Sequence, residues 1–427
     1  MFGAIGLIAG LLSIERLWLF DTRAPSEVLW AEDGLFPLCI RKADFVTCLF
    51  DPFAGYFLFL PRVLAWPISW LDWQWWALAS NITAAVVAGV IAALSAIVLR
   101  RFGLHWIVVV FGALLPVLAP ITGLEAINAI GSSYMLLLFL STLVVALPPR
   151  SGVSRPYVLF GFALLLVTAL TIPSAAVLLI IVLVMGLRGV LPLRVMGTWM
   201  LALVAGLVVQ AVIALNAAQP RPVAITIDSL TLWADSIPTS VFTFWPGLSV
   251  GEYSYFANFT LAPVAVTGWL MAAGLMFVGI WLIARHRGRL LAVGVMLIAG
   301  LGFGFIPSAI GYTNNRYFVV PLLLWGVALL TALDTVIARA RIWVVVLVSA
   351  LILVLWWPAI PASAFRATPA PLWSAEVARV EAACRADPAF VDRPLFTPFW
   401  PPNWGDGLTE PTHPNLPCLV VWTWLDE

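Results

Sequence analysis

The chain is a succession of long apolar runs separated by polar gaps. A bilayer-spanning helix needs about 20 apolar residues. Eleven runs fit: 2–20, 74–99, 105–121, 129–147, 157–172, 174–188, 196–217, 261–284, 290–307, 317–335 and 342–358. The fifth and sixth are short and joined only by Ile172-Pro173-Ser174, so that pair also reads as one broken hairpin. Phe53–Leu71 is apolar and aromatic, but Pro61, Arg62 and Pro67 interrupt it, which predicts an interfacial or re-entrant helix instead of a span. The pattern predicts an all-α polytopic integral membrane protein with about eleven transmembrane helices in residues 1–358. A first outer loop covers 21–73, and a short, Pro- and Trp-rich outer tail covers 359–427. Within the tail, Ser374–Ala386 alternates charge at helical spacing. No internal repeat is evident.

Composition agrees with the pattern. The 427 residues are 63% hydrophobic and only 10% charged, against about 25% charged in soluble domains. Mean hydropathy is +1.03. The N-terminal run lacks a basic start and leads into Glu15 and Arg16, not into a small-residue cleavage site, which predicts a first spanning helix and not a cleaved signal.

Charge distribution sets the orientation. Of the 22 Lys+Arg, eleven fall in alternate short gaps: Arg100, Arg101, Arg150, Arg155, Arg188, Arg194, Arg285, Arg287, Arg289, Arg339 and Arg341. Asp334 is the one acid near them. Positive charge beside spanning helices stays in the cytoplasm, so the N-terminus is expected inside the cytoplasmic membrane and the C-terminus outside it. The 22 Trp are expected mostly as anchors at the membrane–water interface. No basic, aromatic-interleaved polar patch points to nucleic acid.

All four cysteines fall in outer segments, where an oxidising compartment permits two local disulfides, Cys39–Cys48 and Cys384–Cys418; the alternative is free thiols. The three histidines have no zinc-type spacing, and no nucleotide-binding or hydrolase motif occurs. No metal and no cofactor are expected.

Candidate chemistry collects in the outer segments. In Trp30-Ala31-Glu32-Asp33-Gly34 two adjacent carboxylates lie between apolar residues, where partial burial makes an acid a better base; alternatively Asp33 caps a helix starting near Leu35. Asn315-Arg316-Tyr317 precedes a late apolar span, and an Arg there can hold a phosphate through its guanidinium fork or snorkel to headgroups. Asp51-Pro52 reads as a turn or a second acid, with Tyr56 nearby as a possible substrate contact. Arg62 is a charge inside an apolar stretch, which requires a partner or a polar cavity. Glu125 stands in a short outer turn and, with Asp51, Tyr56 and Asn315, is a candidate substrate contact.

The acidic first-loop motif, the membrane-surface helix after it, the many spans and the late Arg316-Tyr317 together resemble the GT-C superfamily of membrane glycosyltransferases. The resemblance covers the whole chain's architecture through short motifs. It implies transfer of a sugar from a polyprenyl-phosphate donor to an extracytoplasmic glycan, lipid or protein acceptor, with inversion. Asp33 or Glu32 would be the general base, and Arg316 would hold the donor phosphate, with Arg62 and Tyr317 beside it. Membrane lipids are the other expected partner. The Glu-Asp order differs from the Asp-Glu common in protein O-mannosyltransferases, and no large carbohydrate-binding domain follows. Rival readings are a transporter or flippase, which the Ile172–Ser174 break would favour, a surface-glycan ligase or polymerase, and a structural envelope protein.

Overall fold

A computed structural model of the chain describes residues 1–21, 24–27, 29, 33–53, 55–119, 129–149, 152–217, 227, 230, 233, 287–309, 318–340, 372–386, 391–392 and 416–417. The helices are α1 (Phe2–Asp21), α2 (Leu35–Lys42), α3 (Phe45–Phe50), α4 (Phe59–Ile68), α5 (Trp76–Arg101), α6 (Trp106–Leu118), α7 (Ser133–Ala146), α8 (Arg155–Thr171), α9 (Ala176–Leu187), α10 (Leu193–Asn216), α11 (Arg287–Ala309), α12 (Val319–Ile337) and α13 (Trp373–Ala386). Short 3-10 turns at Pro25–Glu27, Trp73–Trp75 and Pro173–Ala175 punctuate them. The strands among the described residues are Val391–Asp392 and Leu416–Pro417, paired antiparallel. By length and composition, the helical stretches Trp73–Arg101, Leu193–Asn216 and Arg289–Ile306 can cross a membrane, and shorter apolar helices pack around them. These apolar helices mark a membrane protein. The expected spans 261–284 and 342–358 lie outside the described residues.

The bundle has two ends. α1 finishes at the end that carries the first loop, called here the loop end. Arg100, Arg101, Arg188, Arg194, Arg289 and Arg339 gather at the other, arginine end. Helix pairs meet where side chains are small, because lipid and core are equally apolar and only close packing drives association. Gly6 and Gly10 of α1 face Gly89 and Ala85 of α5. A Cβ on Gly89 would stand 2.7 Å from the Gly6 carbonyl oxygen, so no larger residue fits without separating the helices.

Two tryptophans use a common device. Trp199 of α10 lies against Gly161 of α8 and donates its Nε1–H to the Val158 carbonyl at 3.1 Å. Trp325 of α12 lies against Gly300 of α11 and donates to Leu297 at 3.1 Å. In both, the indole fills a glycine groove and bonds the carbonyl three residues earlier. Trp73, Trp76 and Trp373 are also buried, so several of the tryptophans expected as interface anchors are packing elements. Trp66, Trp70 and Trp75, at the loop end, are exposed as anchors would be.

At the arginine end, Arg289 of α11 pairs with Asp334 of α12 at 2.6 Å, and Asp334 also accepts the His105 backbone N–H that precedes α6. The lone acid near the basic gaps thus neutralises one of them and favours the N-terminus of α6. Between α8 and α9 the chain reverses through Ile172 and the Pro173–Ala175 turn. α8 and α10 run parallel, with Tyr157 beside Trp199 and Leu170 beside Gln210. The Ile172–Ser174 break therefore joins two antiparallel helices.

Candidate functional site

The loop end is built from the first loop, which enters the bundle and returns. Gly34 opens α2, and a disulfide joins Cys39 of α2 to Cys48 of α3. Asp44 caps α3 by accepting the Thr47 N–H at 2.8 Å and the Thr47 hydroxyl at 2.6 Å, bonds that hold its carboxyl below the ordinary value. Arg41 donates to the Ser69 and Leu71 carbonyls after α4, a favourable place for a cation at a helix C-terminus. Gly55, at φ 84°, makes the tight turn that pairs Phe53 with Tyr56.

The chain then passes into the apolar interior as non-helical backbone. Phe57 and Leu58 are each 2% exposed. Such backbone is tolerated at depth only when protein groups satisfy it. Gln210, in the middle of apolar α10, does this. Its Oε1 accepts the Phe57 N–H at 2.9 Å, and its Nε2 donates to the Phe57 carbonyl at 2.8 Å and to Leu170 at 3.0 Å. Thr171 accepts the Leu60 N–H at 3.3 Å. α4 follows with ten residues, about 15 Å, too short to span.

Asp33 is 1% exposed, and its two carboxylate oxygens accept the N–H groups of Ile130 at 3.0 Å and Gly131 at 2.8 Å. It holds the first loop to the chain just before α7. This differs from the helix-cap reading: the amides that Asp33 binds lie about a hundred residues away, before α7, whereas α2 is capped by Gly34 without a side-chain bond. Arg16 of α1 donates to the Val117 and Ala119 carbonyls at 2.9 and 3.2 Å, where the dipole of α6 favours a cation.

Arg62 makes no hydrogen bond among the described residues. It is 4% exposed, and its nearest acid among the described residues, Asp51, lies 3.8 Å from Nη2. Nη1 has no hydrogen-bond partner among the described residues. Burial lowers the guanidinium and the Asp51 charge partly offsets this, leaving it at about 10. Asp51 itself closes α3, and its carboxylate side chain is 60% exposed. Tyr56 is half-buried and packs edge-on against Phe53.

The tail helix returns to this end. Trp373 of α13 donates to the Trp73 carbonyl at 3.0 Å, and Glu27 accepts the Ser374 N–H at 3.0 Å. Trp373, Val377 and Cys384 share a small core with Phe36, Leu58 and Trp76 of the first-loop region. Cys384 is disulfide-bonded, while Cys418, the other member of the expected tail pair, lies outside the described residues. Glu32, Glu125, Asn315, Arg316 and Tyr317 also lie outside them. Asp33, Asp51, Tyr56 and Arg62 are thus brought to one end of the bundle. Sequence reasoning missed Gln210 and Glu27. A glutamine in the middle of an otherwise apolar span was the available signal for the first; Glu27 carried none. No group of three metal-ligating side chains occurs among the described residues.

No protein-family model matches the chain, and no curated protein matches it in sequence.

Proposed function

We propose that the chain is a membrane glycosyltransferase of the GT-C type. It moves a sugar from a polyprenyl-phosphate donor to a hydroxyl on an acceptor at the outer face of the cytoplasmic membrane. The observation that carries this reading is Arg62, a buried guanidinium with an unsatisfied nitrogen, at the end of the bundle where the re-entrant loop and the tail helix meet. A cation kept in that state suits a developing phosphate charge. Arg316, which precedes α12 in sequence, would supply a second cation.

The general base is a first-loop carboxylate, Glu32 or Asp33. Both Asp33 oxygens already accept backbone amides, which favours Asp33 as the residue that positions the loop and Glu32 as the base. The base takes the acceptor proton as the hydroxyl attacks the anomeric carbon, and the lipid phosphate leaves toward arginine. Arginine at the opposite end and a disulfide in the first loop favour an outward loop end. Eleven crossings fit the placement of the described helices: α10 ends at the loop end and α11 starts at the arginine end, and α12 ends at the arginine end while α13 lies at the loop end. Because the Ile172–Ser174 break joins antiparallel helices, the transporter reading loses its main support.

The test is release of polyprenyl phosphate from a panel of polyprenyl-phosphate sugars by the reconstituted full chain, read by mass spectrometry. Glu32→Gln is expected to lose release with stability unchanged. Asp33→Asn is expected to lose stability as well, since an amide NH2, a donor, replaces one of the two acceptor oxygens. Undiminished release in both variants would remove the mechanism.

A further inference from the structure

Three arginines of this bundle differ in the bonds their guanidinium groups make. Arg16 bonds two carbonyls at a helix C-terminus. Arg289 meets a carboxylate at 2.6 Å. Arg62 is as buried as Arg16, yet its only ion pair among the described residues is at 3.8 Å, beyond hydrogen-bonding range, to a carboxylate mostly in solvent. It also occupies the first turn of α4, the end of a helix dipole that disfavours a cation. Burial, a poor partner and the wrong helix end all act against stability, and Nη1 has no hydrogen-bond partner among the described residues. Such a group fits a site that is completed by a ligand anion.

We infer that Arg62 is the seat of a phosphate-ester site and that Asp51 is its internal competitor, a counter-ion that partly neutralises the guanidinium until a phosphate displaces it. This rests on the proposed function only for the identity of the phosphate carrier. Asp51 is suited to the task. It closes α3 beside the Cys39–Cys48 disulfide, so its backbone is tied, while its exposed side chain is free to swing out into solvent. A guanidinium offers a planar fork that phosphate oxygens match and that a single carboxylate at 3.8 Å leaves open. In this reading Asp51 lowers affinity, contrary to its expected role as a substrate contact.

The experiment measures binding of farnesyl phosphate and of inorganic phosphate to the full chain in nanodiscs by thermophoresis. The wild-type chain is expected to bind. Asp51→Asn, a change at an exposed position, should tighten binding about two- to fivefold, the range for an exposed ion pair. Arg62→Gln should weaken it roughly tenfold or more, as expected for a lost charge-assisted bond. Arg62→Lys, which keeps the charge without the fork, should fall between. In the double variant Asp51→Asn/Arg62→Gln the gain from Asp51→Asn should vanish. Tighter binding of farnesyl phosphate than of inorganic phosphate assigns the site to a lipid carrier, and equal binding assigns it to a soluble phosphate; either supports the site. Unchanged or weaker binding in Asp51→Asn overturns the competitor, and binding indifferent to Arg62 overturns the site. Correct binding behaviour without any sugar transfer would remove the proposed function and leave this site standing.

Discussion

Gln210→Leu tests whether one side chain holds the first loop inside the bundle. Leucine keeps nearly the same volume, so packing of α10 against α8 is retained and the change is almost purely polar. Three bonds are lost, two to Phe57 and one to Leu170. At the average of about 0.6 kcal/mol for a hydrogen bond between membrane helices, the sum is about 2 kcal/mol. The Phe57 N–H and C=O are then orphaned at a residue only 2% exposed. At about 1–3 kcal/mol for each unsatisfied buried group the loss reaches about 6 kcal/mol. The expected destabilisation is therefore about 2–6 kcal/mol, read from detergent-induced unfolding followed by tryptophan fluorescence. Hydrogen exchange locates it: amides around Phe57 should lose protection while those of α5 keep theirs. A variant as stable as the wild type, with a peptide covering 53–60 equally protected, would refute the claim that Gln210 anchors this segment.

Gly89→Ala should destabilise the α1–α5 pair by about 1–3 kcal/mol, because its Cβ would stand 2.7 Å from the Gly6 carbonyl oxygen. Gly294→Ala, where nothing lies within 4 Å of the added carbon, should be neutral or slightly stabilising in the same unfolding assay, and equal effects at the two sites would contradict the packing argument. Asp334→Asn strands Arg289 at the arginine end and should cost about 3 kcal/mol. Adding Arg289→Met should recover most of that loss, and a double variant no better than the single would show that the His105 bond carries the effect instead.

The long bundle helices were legible because they are apolar runs bounded by proline, glycine or charge. Their inward faces were not. In α10 the buried positions are Val195, Trp199, Ala202, Leu203, Gly206 and Gln210, while Leu201, Val204, Val208 and Val212 are exposed. Both faces are apolar, since lipid is as apolar as the core, so hydrophobic periodicity carries no contrast. Small and polar residues hold the contrast instead. Gly6, Gly89, Gly161, Gly206 and Gln210 all lie on inner faces, and together they mark the face that the hydropathy of leucine and valine leaves ambiguous.

The same physics separates the candidate site from its scaffold. A buried polar side chain in an apolar bundle must find a partner, and here most partners are backbone groups: Arg16 with the Val117 and Ala119 carbonyls, Asp33 with the Ile130 and Gly131 amides, Gln210 with both groups of Phe57, Trp373 with the Trp73 carbonyl. A backbone group has no residue identity, so the sequence flags one half of each pair and hides the other. That is why Asp33 reads as a base from its acidic neighbourhood yet also serves as an anchor once Ile130 and Gly131 are in place. It is also why a charge in an apolar stretch cannot be assigned to structure or function until its partners are known. Arg16 and Arg62 carry that signal equally in sequence. Arg16 bonds two helix-end carbonyls, whereas Arg62 makes no hydrogen bond among the described residues and has only an exposed carboxylate at 3.8 Å, so the functional argument passes to Arg62.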